Sequence, residues 1–382
     1  MEKDILCIGL MSGTSLDGCD AALVEITKDE KYILKDFITL PYTSLFREKI
    51  KRNLSDDTAK LSEICSLNFE LGYIFKDAID LLLKKNNLKY NDISFVASHG
   101  QTIWHAPKAI NGNVASTLQI GEGQVISVLT GIKVISDFRV ADVLVGGEGA
   151  PLVPMFEYMY FKDENKNVIL QNIGGIGNLT YLKKDCTIDE VVAFDTGPGN
   201  VMIDYFVNKY FNKQYDENGD IANDGDIIYP VLNKLLEDDF LKRMPPKSTG
   251  REQYSSEFLE KFARDNLFDQ YDKKDIITTI TEFTVRSIVY NYKEFIKDFD
   301  KVVVSGGGAH NKYIMRRLNE ELNDIVYRCD EVGLNSDAKE AFAFAILGFL
   351  SLTNKYGNVK KATGAKENVV LGEITLGVKC ED

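Results

Sequence analysis

Apolar residues recur along this chain at two different spacings, and the first of them lays out a hairpin. Two strand-length apolar runs, residues 5–8 and 21–26, enclose Gly9-Leu10-Met11-Ser12-Gly13-Thr14-Ser15-Leu16-Asp17-Gly18-Cys19-Asp20. The pattern predicts two strands joined by a glycine- and hydroxyl-rich tip. A plain hairpin needs only about two or three turn residues, whereas this tip is longer and carries an acid, Asp17. Gly13 and Gly18 let the backbone turn where a Cβ would collide. The amides of Gly13, Thr14 and Ser15, with two hydroxyls, would face a bound anion. A long structural turn is the competing reading.

A third strand is predicted over residues 32–40. From Leu61 onward, Ile64, Cys65, Leu71, Phe75, Ala78, Ile79 and Leu82 recur at helical spacing, so a long amphipathic helix follows. Residues 93–97 read as a short strand ending in Ser98-His99-Gly100-Gln101-Thr102, with Trp104 and His105 close behind. Open α/β sheets place ligands just past strand carboxyl ends. Residues 133–136 form another strand before Asp137-Phe138-Arg139, where Arg139 would most simply pair with Asp137 or Asp142. The breaker cluster Gly146-Gly147-Glu148-Gly149-Ala150-Pro151 marks a passage between domains.

The opening theme then returns. Residues 168–173 form a strand, Gly174-Gly175-Ile176-Gly177-Asn178 a glycine tip, and residues 179–182 and 191–194 two further strands. Strand, glycine tip, strand and further strand in both halves point to a duplicated α/β unit. The second tip lacks the third glycine of a dinucleotide fingerprint and precedes a strand where that motif needs a helix. Phe194-Asp195-Thr196-Gly197-Pro198-Gly199-Asn200 follows, ahead of a helix over residues 201–210. A helix end offers free N–H groups to an anion, and a carboxylate beside it can take a proton or hold a hydrated cation. Asp195 is several residues too early to be the ordinary N-cap.

Arg243-Met244-Pro245-Pro246-Lys247-Ser248-Thr249-Gly250-Arg251-Glu252 is a basic loop, either functional or merely solvated. A core helix is expected over residues 276–299. A buried strand at 302–304 runs into Gly306, Gly307 and Gly308, where close approach of a flat ligand would explain three glycines in a row. The last amphipathic helix, residues 337–352, carries Glu340 in its first turn, and residues 369–377 read as a final strand.

Composition narrows the classes. The chain has 382 residues, enough for two domains, and is 44% hydrophobic and 27% charged, which describes a globular protein with ample core. A formal charge of −13 argues against non-specific nucleic-acid binding. The longest apolar stretch, residues 341–352, is too short to span a bilayer. Six scattered cysteines without a Cys-x-x-Cys pair suggest reduced thiols in a cytoplasmic protein, and three histidines make a His-rich metal site improbable.

Two glycine-tipped hairpins, an acid-bearing loop after a strand and a strand running into three glycines together resemble the actin-like ATPase fold of sugar kinases, Hsp70 and acetate kinase. Eight blocks carry the likeness further: Met11 to Gly18, Ser98 to Thr102 with Trp104 and His105, Asp137 to Arg139, Gly149 to Pro154, Asn172 to Asn178, Phe194 to Asn200, Pro246 to Glu252, and Gly306 to Ala309. In this order they resemble the anhydro-N-acetylmuramic acid kinases. The resemblance implies an α/β, two-lobed fold with duplicated βββαβα-type domains around a central cleft. Residues 1–140 would form the lobe with the first phosphate hairpin. Residues 141–382 would hold the second glycine hairpin, the acid loop and the adenosine turn.

It further implies ATP with Mg²⁺, an anhydrosugar and water as reaction partners, with neither nucleic acid nor membrane; a homodimer is compatible with it. Gly13, Thr14, Ser15, Leu16, Asp17, Gly18, Cys19 and Asp20 match the family's ATP-binding loop, and Asp195 its catalytic base. Gly174, Gly175, Gly177, Asn178, Gly306, Gly307 and Gly308 are expected at the nucleotide, and Thr102, Arg139 and Glu340 at the sugar. The reaction would open the 1,6-anhydro bridge and phosphorylate O6, in cell-wall recycling. Glu148 stands where Gln is expected, and Glu122-Gly123-Gln124 also departs from the pattern, so another anhydrosugar such as levoglucosan is an alternative substrate. A filament- or clamp-forming ATPase is a more distant alternative.

Overall fold

The computed structural model describes residues 3–13, 15–250 and 253–377. Its strands in chain order are β1 (Ile5–Ser12), β2 (Gly18–Ile26), β3 (Tyr32–Pro41), β4 (Ile93–Ala106), β5 (Ser116–Ile120), β6 (Val134–Ser136), β7 (Val168–Ile173), β8 (Ile176–Leu182), β9 (Val192–Pro198), β10 (Lys301–Ser305), β11 (Val326–Arg328) and β12 (Glu373–Thr375). They form two sheets, ordered β12-β6-β4-β1-β2-β3 and β11-β10-β7-β8-β9, with β5 paired to β4. In the first, β1-β2-β3 run antiparallel while β4 and β6 add in parallel. In the second, β7-β8-β9 run antiparallel while β10 and β11 add in parallel.

Each sheet is therefore one copy of the same plan. Helices Leu61–Lys85 and Gly123–Thr130 flank β4 in sequence, as Lys273–Asn291 and Lys312–Leu322 flank β10, giving the βββαβα order twice. The parallel strands are continuous apolar runs because each must be buried on both faces: Val302, Val303 and Val304 are at most 2% exposed.

The chain divides into two compact units, Met1–Tyr160 with Asp337–Asp382, and Phe161–Ser336. A division at 140/141 with all later residues in one lobe is thus not what the contacts give. The breaker cluster is tied into the first unit: Gly149 N–H donates to Asp142 at 2.8 Å, and Glu148 N–H to Thr363 O at 2.7 Å. The helix Lys339–Leu352 also returns to that unit, packing on β1 and β4. A Cβ on Gly9 would lie 1.8 Å from Ala341 O, and one on Gly348 2.6 Å from Ala97 Cβ. Residues from Ala341 to Ser351 are all buried, so this helix is apolar all round rather than amphipathic, as a helix enclosed by its own unit should be.

Three other elements differ from expectation. β4 does not stop at residue 97; it continues to Ala106 because β5 supplies an antiparallel partner for Gln101 to Ala106. The polar stretch Ser98 to Thr102 is therefore strand. The helix expected over 276–299 runs Lys273–Asn291 and then widens into a π turn, Tyr292–Ile296, closed by Lys297 N–H to Tyr292 O at 2.9 Å. The final strand shrinks to β12, paired with β6. Among the described residues no helix is long and apolar enough to cross a membrane, and Cys7, Cys19, Cys65, Cys186 and Cys329 are free thiols.

Candidate active site

Asp195 lies on β9, the edge strand of its sheet, directly across from Asn178 on β8. Pairing passes from Gly177↔Gly197 to Asn178↔Asp195, leaving Thr196 as an extra residue. Such a bulge bends the strand and re-aims the side chains beside it. The extra residue is anchored: Gln171 Nε2 donates to Thr196 Oγ1 at 3.2 Å, and Asn291 Nδ2 to Thr196 O at 2.9 Å.

The free edge of β9 is covered by the loop after Pro246. Asp195 N–H donates to Lys247 O at 3.0 Å, and Thr249 N–H donates to Asp195 Oδ2 at 2.8 Å. Among the described residues Oδ1 accepts no hydrogen bond. Burial pushes the half-buried carboxyl above its ordinary value, while the Thr249 amide and the Lys247 charge pull it down. The N–H that favours its ionised form thus comes from this loop and not from a helix end.

Lys247 is only 7% exposed. Its Nζ donates to Leu241 O at 2.9 Å and Phe240 O at 3.3 Å, and sits 4.6, 4.9 and 5.9 Å from the rings of Phe295, Phe240 and Phe194. A desolvated cation–π contact is worth about 2 kcal/mol. Burial first, then Arg243, lowers its pKa to about 8. In the sequence Lys247 is marked only by the two prolines before it, which give it no role.

The second glycine tip folds onto the next helix. Gly175 O accepts from Gly199 N at 2.9 Å and Val201 N at 3.1 Å, and Gly174 O accepts from Asn200 N at 2.8 Å. The start of the helix Val201–Phe211 therefore spends these amides on protein carbonyls rather than offering them all to an anion. A Cβ on Gly199 would lie 2.3 Å from Gly174 O. The three consecutive glycines divide similarly. Cβ atoms on Gly306 and Gly308 would meet Asn172 Oδ1 at 2.6 Å and Ile173 Cγ2 at 2.3 Å, whereas on Gly307 the nearest atom is Asn200 Nδ2 at 3.7 Å. Close approach of β7, rather than of a flat ligand, requires the outer two.

In the other unit, the first tip turns at Gly13, whose carbonyl accepts from Leu16 N at 3.3 Å, with Leu16 at φ 59°. Thr14 lies outside the described residues, as do Arg251 and Glu252 of the basic loop. Leu16 and Cys19 are buried in the core, so only their main chain is open to a ligand; Ser15 and Asp17 are exposed. The tip is braced from a residue the motifs do not include, Tyr42: its OH donates to Ser12 Oγ at 2.8 Å, and Ser12 Oγ to Gln101 Oε1 at 2.6 Å. Burial raises Asp20 to about 6, against a hydrogen bond from Thr39 and with the charges of Glu340, Asp337 and Asp17 adding to the rise. The tip and Glu340 thus share one field. Among the described residues no group of three His, Cys, Asp or Glu side chains converges to hold a metal unaided. An exposed Asp17 and a half-buried Asp20 fit Mg²⁺, which usually takes one or two carboxylates and shares substrate phosphates.

Arg139 does not pair with Asp137 or Asp142. Its Nε donates to His99 Nε2 at 3.0 Å and its Nη1 to Gly149 O at 2.7 Å. His99 must then be the neutral tautomer, with Nδ1–H on Gly100 O at 2.8 Å; burial, then Arg139, lowers its pKa to about 3. Asp142, fully buried, is satisfied by Asn358, Thr363 and Gly149 N–H, each at 2.8 Å. Glu340 keeps solvent-accessible surface although protein atoms crowd it; that crowding raises its carboxyl, and Lys339 and Arg139 oppose the rise. Thr102 Oγ1 accepts from Gln119 Nε2 at 3.3 Å. Glu148 is half-buried and paired with Lys108 Nζ at 2.6 Å, so its charge is met locally.

Among solved structures, the activator of the 2-hydroxyisocaproyl-CoA dehydratase from Clostridium difficile with bound ADPNP aligns at 14% identity and a TM-score of 0.44, covering 90% of this chain and 94% of that one. A family model described as "Anhydro-N-acetylmuramic acid kinase" matches residues 5–377. The anhydro-N-acetylmuramic acid kinase of Clostridioides difficile (strain 630) is 48% identical over 378 residues, 96% of this chain and 97% of that protein. That of Francisella tularensis subsp. novicida (strain U112) is 42% identical over 382 residues, 98% of this chain and all of its relative. Identity of this order over nearly the whole length settles the assignment: the chain belongs to the anhydro-N-acetylmuramic acid kinase family.

Proposed function

We propose that this protein uses ATP and water to open 1,6-anhydro-N-acetylmuramic acid and phosphorylate its O6, giving N-acetylmuramic acid 6-phosphate and ADP in the cytoplasm. The observation that carries the proposal, given the family, is the state of Asp195: one carboxylate oxygen held by the Thr249 amide, the other without a partner among the described residues.

The bridge leaves no free O6 hydroxyl, so phosphoryl transfer cannot begin until the acetal opens. Asp195 takes one proton from water as the hydroxide oxygen bonds to the anomeric carbon, and the bond from that carbon to O6 breaks. O6 then bonds to the γ-phosphorus as the bond to the ADP oxygen breaks, and the proton on Asp195 leaves to solvent. Bound MgATP supplies the phosphoryl group and spreads its charge. Asp17 and Asp20 would hold the metal, and the amides of Gly13 to Ser15 would bind phosphate oxygens. Arg139, Thr102 and Glu340 are the side chains assigned to the sugar.

MgATP-dependent phosphorylation of the purified protein, measured across anhydro-N-acetylmuramic acid, levoglucosan and ordinary hexoses, tests the proposal. Turnover confined to the first sugar is expected. Preference for levoglucosan would move the substrate assignment, and ATP hydrolysis indifferent to sugar would end it.

A further inference from the structure

The residue that decides where the Asp195 carboxylate points is not next to it in sequence. Four segments meet at the ammonium of Lys247: β9 through Phe194, the short helix Asp239–Lys242 through Phe240 and Leu241, the π turn Tyr292–Ile296 through Phe295, and the loop that bears the lysine itself. The same loop grips Asp195 twice, through Lys247 O and Thr249 N–H. We propose that Lys247 is a positioning residue for Asp195: its enclosed cation locks the loop against β9 and thereby fixes the carboxylate that activates water.

The inference rests on the base role assigned to Asp195 above. Its physical basis is that an ammonium held by two carbonyls and three rings cannot leave its cage without giving up all five contacts. The loop's main chain therefore stays in register with β9, and Thr249 N–H stays on Oδ2. The widening of the helix after Asn291 is what delivers Phe295 to the cage, and such π turns are frequent at functional sites. Charge acts in the same direction as geometry. Lys247 favours the ionised carboxylate, so the base stays deprotonated to lower pH than burial alone would allow. The charged and titratable groups around the lysine are Arg243, which opposes its charge, and Asp238 and Asp195, which favour it; Tyr254 OH holds Asp238 Oδ2 at 3.0 Å.

Lys247→Met, Lys247→Arg and Phe295→Leu test this beside Asp195→Asn, with folding followed by circular dichroism. For Lys247→Met, kcat should fall roughly 10–100-fold, the loss typical of a displaced catalytic group, with KM for ATP within about twofold of the parent. The acid limb of the kcat–pH profile should move up by about one pH unit as the neighbouring cation is lost. Lys247→Arg, which keeps the charge, should restore the limb more than it restores kcat. If Lys247→Met does not fold, Phe295→Leu, which opens one face of the cage, must show the same kcat loss at unchanged KM. A folded Lys247→Met with parental kcat and pH limb, or a parental Phe295→Leu where the former does not fold, overturns the inference. Retained turnover in Asp195→Asn would instead overturn the base assignment beneath it, whatever the lysine variants do.

Discussion

Thr249 donates its backbone N–H to Asp195 Oδ2 across 2.8 Å, although 54 positions separate the two in sequence. A main-chain donor cannot rotate away as a side chain can, so it selects one orientation of the carboxylate and leaves the other oxygen for water. Base chemistry at Asp195 is the basis of the first expectation.

Asp195→Asn keeps the shape of the site but removes the proton acceptor. Turnover should fall ~10²–10⁴-fold, the usual scale of general-base help, with ATP binding retained. Calorimetric ATP titration beside a coupled ADP assay separates the two. In the parent enzyme kcat should decline as pH drops through a value above the ordinary carboxylate range, because burial raises this group; a limb at or below that range would show that the titrating base is another residue.

The tightness of the packing makes opposite expectations for neighbouring glycines. Gly9→Ala places a methyl 1.8 Å from Ala341 O and must push the helix Lys339–Leu352 off β1, costing about 3 kcal/mol or more. Gly308→Ala meets Ile173 at 2.3 Å and should also destabilise. Gly13→Ala, with Ser15 Oγ 3.8 Å away, and Gly307→Ala, with Asn200 Nδ2 3.7 Å away, should melt like the parent. If Gly13 lies against phosphates, its alanine variant should still raise KM for ATP. Thermal melts and ATP kinetics on the four proteins check each half.

His99 is buried neutral between Gly100 O and Arg139 Nε. Its folded pKa of about 3 lies below the value near 6.5 in an unfolded chain. Between these values the unfolded state binds the extra proton, so stability is full above about pH 6.5 and is lost as pH falls toward 3. At pH 5 the loss from this group is about 2 kcal/mol. Urea midpoints at pH 7 and pH 5 should show it, and the imidazole ¹⁵N shifts of folded protein should stay neutral across that range. A His99 ring that titrates near pH 6 would contradict the burial argument.

Glu148 has its charge met by Lys108 Nζ at 2.6 Å. Its pair with Lys108 is solvent-exposed on both sides, so Glu148→Gln should change stability by less than about 1 kcal/mol. Sugar preference should be unchanged as well, because the charge is already met by the lysine. A shift in the anhydrosugar panel after this single substitution would show that Glu148 reads the substrate.

The strands other than β5 and β11, the two glycine tips and the helix Leu61–Lys85 were legible from sequence because each rests on local periodicity and turn chemistry. The repeated run of strand, tip, strand and strand identified the duplication for the same reason, and eight ordered motifs identified the family. Local patterns are silent about partners. β4 reaches Ala106 only because β5 is there to pair with it, and Arg139 spends its hydrogen bonds on His99, 40 positions away, and on Gly149 O instead of the acids beside it. Gly306 and Gly308 are small for the sake of β7, and the last helix belongs with β1 because Gly9 leaves room for Ala341. The sequence alone determined most of the elements and the chemistry they carry, since those follow from neighbours along the chain. The direction of Asp195, the cage around Lys247 and the division of the chain into units follow from contacts between segments far apart, which only tertiary packing brings together.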